Sequence, residues 1–465
     1  MGHAGHLKAE YQALTRRLES GQVGMPEPDS PEAAEGRREI LEILFTPEEA
    51  ELASKLPVKP AKLETIASRV DLSPDELCKK LDAMCDKGVV IDLVSPRTGQ
   101  VRYALSPPVV GFFEFSLMRI GDGDGIPKKR MAEALHAYTE GDPAFAEHVF
   151  GGDTVIGRSM VREDQLADEI PDVLSWERVT SIMEQADRFA VSTCYCRHKA
   201  EHLGEDCDAP KEVCLSVGPG ADFVIRRKFG KEIDRAGAFA VLEQAREAGL
   251  VQIADNVQNR PTYVCNCCAC CCGQLRAINQ YGLRAVNPSG FVPELEPESC
   301  TGCGRCAKAC PVKAITLEPS RETGKLQNVL QPRIDLEQCI GCGLCSAACK
   351  KGALSMVRAE TRPHVPVNMI ERVVRMSIER GNLAGLIVDE GAGRGHRFLG
   401  SVIRALSKLP PSQRLLASQQ VRSRFVDFAL KTVRDPTEGP NRGSEGAREP
   451  VSADRPAARS SGGKG

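Results

Sequence analysis

The chain has almost no net charge to spend: 61 Lys and Arg against 63 Asp and Glu leave −2 at pH 7. That balance removes bulk attraction to nucleic acid or to an anionic membrane as an organising force. Long apolar runs are also missing, and none approaches the ~18 residues that a spanning helix requires. The opening stretch, MGHAGHLKAEYQALTRR, lacks the apolar centre of a secretory leader. These absences point to a reducing, cytoplasmic setting, where 20 cysteines are expected to be metal ligands rather than disulfide partners. Aromatic residues make up only 5% of the chain. Their scarcity, like the Arg, Ala and Gly bias, decides nothing. At 465 residues there is room for about three domains and a substantial core.

What is present in excess is sulfur at regular spacing. Cys300-x-x-Cys303-x-x-Cys306-x-x-x-Cys310-Pro311 is followed by Cys339-x-x-Cys342-x-x-Cys345-x-x-x-Cys349. Three cysteines two residues apart can wrap one face of a cluster, and the fourth, on the next helical turn, points away. Tetrahedral sulfur sites also suit zinc, but zinc pairs do not usually use two such runs. The double run resembles dicluster [4Fe–4S] ferredoxin domains over about residues 291–360. That resemblance implies two [4Fe–4S] clusters with exchanged fourth ligands: Cys300, Cys303, Cys306 and Cys349 for one, and Cys339, Cys342, Cys345 and Cys310 for the other. Gly302, Gly304, Gly341 and Gly343 are expected where a side chain would crowd sulfides or block N–H donors to them. Pro311 is expected to stop a short helix after Cys310. Lys350 stands where the second run would have its proline.

Upstream, residues 1–45 read as a polar helix, a Pro-rich break and a helix from Glu32 to Phe45. Thr46-Pro47-Glu48-Glu49 opens a helix to about Leu56. Lys62 to Val70 forms another, and Ser73-Pro74-Asp75-Glu76 caps a third, with Leu77, Leu81 and Met84 on its apolar side. A hairpin follows, from Val89 to Leu93 and from Gln100 to Leu105. Three helices and a wing resemble a winged-helix domain. On its third helix Asp75, Glu76, Asp82 and Asp86 outnumber Lys79, Lys80 and Lys87, the wrong balance for a major groove. Docking to protein is the preferred reading, with a cluster-sensing transcriptional regulator as the alternative. Cys78 and Cys85 read as core residues.

Gly121-Asp122-Gly123-Asp124-Gly125 reads as a flexible junction, lacking the closing Glu of a calcium loop. Helices are expected from Lys128 to Phe150 and from Ser175 to Arg188, then a strand from Phe189 to Thr193. That strand delivers Cys194-x-Cys196-Arg197-His198, with Cys207 and Cys214 beyond. Gly218-Pro219-Gly220 reads as a turn. A helix from Asp234 to Ala248 and two strand-like runs lead to Cys265, Cys267, Cys268, Cys270, Cys271 and Cys272. Six thiols within eight residues would oxidise or crowd one another unless bound, so a further metal centre, a third Fe–S cluster, is expected. Cys194, Cys196, Cys207 and Cys214 could serve one cubane, or the two patches could converge. Six ligands exceed what one cubane uses, and adjacent cysteines on a strand face opposite ways. Some are therefore spare, or hold a second centre. Arg197 could donate to cluster sulfur or form a surface ion pair; His198 reads as a packed or solvated side chain.

Taken together, residues 1–360 resemble a family of anaerobe-associated [4Fe–4S] binding proteins. In that family a winged-helix-like start precedes a C-x-C-R patch, a dense cysteine patch and a dicluster ferredoxin. Cys271-Cys272-Gly273 also resembles the CCG motif of heterodisulfide-reductase-type proteins. The expected architecture is α+β and multidomain. It comprises a winged-helix-like lobe (1–110), a mixed cysteine-rich domain (111–290), a ferredoxin domain (291–360), a helical segment (361–434) and a disordered tail (435–465). Asn368 to Arg380 is expected as a helix, Leu383 to Val388 as a strand, Gly391 to Gly395 as a glycine loop, and Gln413 to Val433 as a basic docking helix. The implied function is electron transfer as a subunit or partner of a cytoplasmic oxidoreductase, with redox proteins as donor and acceptor.

Overall fold

The computed structural model describes residues 7–383 apart from 22, 58, 120–122, 167–172 and 321–328. The strand, glycine loop, docking helix and tail expected beyond Leu383 lie outside the described residues. Helices and several sheets are interspersed along the chain, an α+β composition.

The N-terminal lobe holds α1 (Ala9–Glu19), α2 (Pro31–Leu44), α3 (Pro47–Lys55), α4 (Leu63–Ala67) and α5 (Pro74–Asp86), then the antiparallel hairpin β1 (Val90–Val94) and β2 (Val101–Leu105). Local chemistry sets the starts of α3 and α5. The Thr46 hydroxyl accepts from the Glu49 N–H at 3.2 Å while Glu49 accepts from the Thr46 N–H at 2.8 Å. Ser73 and Glu76 repeat the arrangement, each box contributing about 1 kcal/mol. Two of the acids of α5, Asp82 and Asp86, pair at the surface with Arg227 at 2.9 and 3.0 Å. Cys85 is buried, as expected, whereas Cys78 is half-buried with its thiol 3.8 Å from the Tyr103 hydroxyl.

The segment after the hairpin forms α6 (Phe113–Met118), α7 (Lys128–Glu140) and α8 (Ala144–Phe150). The single helix expected over 128–150 is thus two, because Gly141-Asp142-Pro143 intervenes and Pro143 supplies no N–H. Asp124, in the expected junction, is taken by Lys128 at 2.5 Å. α7 packs closely on α2, where a Cβ at Gly36 would stand 2.7 Å from the Ala134 carbonyl. Phe45, Phe112, Phe113, Tyr138 and Phe145 interlock beside this contact.

A seven-stranded sheet follows, built from β3 (Gly157–Ser159), β4 (Phe189–Ser192), β5 (Cys214–Val217), β6 (Lys231–Ile233), β7 (Val251–Asp255), β8 (Tyr263–Cys267) and β9 (Val286–Asn287). Its order is β6-β4-β5-β8-β7-β3-β9, antiparallel except for β3 with β9. Between the strands run α9 (Val179–Gln185), α10 (Tyr195–Leu203), α11 (Gly218–Arg226), α12 (Arg235–Glu247) and α13 (Gly273–Tyr281). Two expectations are corrected here. The helix of 175–188 is a 3₁₀ turn at Ser175–Glu177 followed by α9. Gly218-Pro219-Gly220 opens α11 rather than a turn, with Pro in the first helical turn where its missing N–H costs nothing.

Side chains alternate across the sheet. Phe189, Val191, Leu215, Val264 and Ala254 pack with residues of α9 and α12 on one face. Cys265, Cys267 and Ile253 belong to a different core, which reaches from Leu7 through the sheet to Met376.

The last cysteines lie between two antiparallel pairs, β10 (Phe291–Leu295) with β13 (Leu354–Arg358) and β11 (Ile315–Pro319) with β12 (Leu330–Ile334). Two short helices, α14 (Arg305–Ala309) and α15 (Leu344–Ala347), follow the cysteine loops. The expected C-terminal helix is α16 (Met369–Glu379), whose Arg372 reaches into the sheet to pair with buried Asp255. Among the described residues no helix is long and apolar enough to cross a membrane.

Candidate metal centres

The ferredoxin-like cysteines gather across their two runs. Cys300, Cys303 and Cys306 border a small cavity of about 140 Å³, and its fourth thiol comes from Cys349 of the other run. Reciprocally, Cys310 adds its charge to the environment of Cys339, Cys342 and Cys345. Three thiols from one run joined by the fourth from the other suit a cubane. Burial pushes the Cys339 and Cys342 thiols up and Cys345 up to about 12, so metal binding there must displace protons. Cys303 is exposed, and the Arg305 N–H holds its thiol below the ordinary range.

Two of the glycines between these cysteines have a reason in the backbone as well. Gly302 and Gly341 adopt φ of +68° and +67°, a conformation costly for residues with a Cβ. A Cβ at Gly302 would stand 2.6 Å from the Leu330 carbonyl, and one at Gly341 would strike the Phe291 carbonyl. A side chain there would crowd the backbone of the neighbouring strand, so Gly302 and Gly341 let the cysteine loops lie against β12 and β10.

The ten middle cysteines converge from both patches, and each patch is divided between two groups. Cys214 heads β5 in the position facing Cys265, one step from the Leu215–Val264 pair. Cys194 precedes α10, Cys196 lies in its first turn, and Cys272 caps α13. The six form a chain of thiol contacts: Cys194 with Cys196, Cys196 with Cys272, Cys272 with Cys267, Cys267 with Cys265, and Cys265 with Cys214. Hydrogen bonds from Cys196 and Cys267 hold Cys272 down to about 5, and those from Cys214 and Cys267 hold Cys265 well below its ordinary value. All six line a cavity of about 1840 Å³.

The second group is Cys207, Cys268, Cys270 and Cys271, whose sulfurs all lie within 4.8 Å of one another. Cys268 packs near Val213, Ala245 and Leu250 on the α12 side, away from Cys267. Cys267 and Cys268, like Cys271 and Cys272, fall in different groups, although β8 ends at Cys267 and the strand alternation expected here does not extend to 268–272. A grouping of Cys194, Cys196, Cys207 and Cys214 alone is not what the fold assembles.

Arg197 binds these layers together. Its side chain is buried, not a surface ion pair, and it donates to the Asn266 carbonyl at 3.0 Å and the Pro210 carbonyl at 3.0 Å. It also lies 3.9 Å from the Cys268 sulfur. His198 is buried against the Leu117 carbonyl at 2.7 Å and His202 at 3.2 Å, a packed histidine.

Sequence reasoning missed Glu114, whose carboxylate faces the large cavity and accepts from the Gly111 N–H at 2.7 Å. Burial pushes it up to about 8, so it holds its proton at neutral pH. A lone acid inside Phe112-Phe113-Glu114-Phe115 was the available signal. Also missed was Glu140, in the same cavity wall, which pairs with Lys199 and Arg276 at 2.5 Å each.

No curated protein and no solved structure matches the chain. Residues 299–356 match the family described as 4Fe-4S dicluster domain, so this segment of the chain is an iron–sulfur, [4Fe–4S]-binding module of ferredoxin type.

Proposed function

We propose that the chain is an electron-transfer protein carrying two [4Fe–4S] clusters in residues 291–360 and a third Fe–S cluster on the inner six-cysteine chain. Cys300, Cys303, Cys306 and Cys349 would hold one cluster, and Cys339, Cys342, Cys345 and Cys310 the next. When bound, each cluster supplies a site that takes up and releases one electron. The protein residues keep these sites dry and close together.

The supporting observation is the shared core. Cys339, Cys342 and Cys310 pack into the same apolar cluster as Cys265, Cys267 and Cys272. The link between them is α13, which follows directly on Cys272 and donates from Asn279 to the Pro311 carbonyl at 3.0 Å. Seven helical residues separate those points, a rise of about 10 Å. Further bonds hold the module to the sheet: the Arg162 N–H to the Cys342 carbonyl at 3.1 Å, and Ser346 to Gln165 at 3.0 Å. The route would run from a protein donor at the exposed Cys303 edge inward to the six-cysteine wall. The chain would serve as subunit or partner of a cytoplasmic oxidoreductase. Its winged-helix-like lobe would dock to protein, since α5 carries more acids than lysines and Arg227 is spent on its Asp82 and Asp86 rather than left for phosphate.

Oxygen-free purification with iron and sulfide analysis, followed by a potentiometric titration, tests this reading. About twelve irons with matching sulfide, and reversible one-electron steps in the ferredoxin range, are expected. About eight irons would remove the third cluster, and the absence of any reversible step would sink the electron-transfer reading.

A further inference from the structure

The outer cysteine group differs in scale from every other sulfur set. Cys207 and Cys268 lie 3.8 Å apart, Cys207 and Cys271 3.9 Å, and Cys270 and Cys271 3.7 Å. Thiolates bound to one tetrahedral ion at about 2.3 Å stand about 3.8 Å from each other, the edge of that tetrahedron. A cubane places four irons and four sulfides between its thiolates, which then stand much further apart. Among the described residues no other group of three or more His, Cys, Asp or Glu is as compact, the two ferredoxin sets included.

We propose that Cys207, Cys268, Cys270 and Cys271 bind a single divalent transition-metal ion, zinc or mononuclear iron, in an all-thiolate tetrahedron separate from the Fe–S clusters. Four thiolates around a divalent ion leave two negative charges, and the buried guanidinium of Arg197 at the Cys268 sulfur offsets part of them. With all four positions taken by protein, the ion has no open site and its role is structural. It ties the loop carrying Cys207, between α10 and β5, to the turn of residues 268–271, where the Cys272 N–H bonds the Cys268 carbonyl at 3.3 Å. Cys268 and Cys271 are the chain neighbours of Cys267 and Cys272, so the ion holds two of the inner thiols in place. The proposal does not depend on electron transfer or on what the inner six cysteines hold.

The test uses the full chain, purified without oxygen and without added metal. Zinc, iron and sulfide are counted per chain, and absorption at the zinc edge reports the ligand shell. The expected result is about one zinc in a shell of four sulfurs at about 2.3 Å, with iron equal to sulfide. One iron in excess of sulfide, without zinc, identifies the same site with iron as occupant. Cys270→Ala, at the exposed corner, should lose that one ion and leave the iron–sulfide pairs in their original number. Equal iron and sulfide with no four-sulfur zinc overturns the proposal, as does a zinc shell of nitrogen and oxygen. The wild-type measurements decide the matter even if the variant fails to fold.

Discussion

Alanine at Cys349 removes a thiol that is near Cys345 in the chain but borders the cavity of Cys300, Cys303 and Cys306 in the fold. If fourth ligands are exchanged, C349A and C300A damage one cluster. Each single variant should lose roughly one to four irons, depending on whether the cubane opens or departs, and the double variant no more than four. C339A touches the other set, so C339A/C349A should lose the sum of its two singles, up to about eight irons. This is a double-mutant cycle read in metal stoichiometry, in which groups sharing a partner are non-additive and independent groups add. Iron analysis, with spin quantitation of the reduced clusters by electron paramagnetic resonance, measures both terms. The opposite pattern, additive for Cys300 with Cys349 and saturating for Cys339 with Cys349, would refute the exchange and mean that each run closes on its own cluster.

Glu371 makes the anchoring of α16 pH-dependent. Burial alone would raise its carboxylate, but hydrogen bonds from His364, the Val367 N–H and Arg375 hold it at about 2, against an ordinary 4.5. A depressed folded value stabilises above the unfolded value and is lost as pH falls towards 2, a contribution of about 3 kcal/mol. Glu371→Gln should remove it, raising hydrogen exchange in α16 at pH 7 and flattening its change between pH 5 and 2; unchanged exchange at both ends would refute the assignment. Asp92, nearly buried, receives Arg226 at 2.5 Å and Arg227 at 2.7 Å. Asp92→Asn should cost about 3 kcal/mol in chemical denaturation, the low end for a broken buried pair because Arg227 keeps Asp82 and Asp86. Exposed Asp86→Asn should cost under about 1 kcal/mol, and equal effects would show that burial does not set the energy.

Much of the local structure could be read from the chain. Thr46 and Ser73 with their partners three residues on specify helix starts by themselves, because a cap is satisfied within four residues. The double cysteine run was equally legible, since each loop sets three cysteines at fixed spacing without help from elsewhere, and residues 299–356 match a 4Fe-4S dicluster domain. Errors came where a local signal had two outcomes. Gly218-Pro219-Gly220 is compatible with a turn or with a helix start, and the fold uses it as a helix start, with Gly220 close against the Thr262 carbonyl just before β8.

Sequence alone determined that sulfur chemistry dominates this protein, and that six cysteines in eight residues are too many for one cubane. It also led to the expectation that adjacent cysteines diverge as on a strand, whereas β8 ends at Cys267 and the turn that follows carries Cys268 to Cys271 to the other group. Only the tertiary structure decided which thiols meet. Cys214 faces Cys265 because β5 lies beside β8, and Cys207 joins Cys268, Cys270 and Cys271 from 61 to 64 residues away. Strand order and the buried Arg197 clasp are set by the packing of the whole core, and no spacing along the chain encodes them.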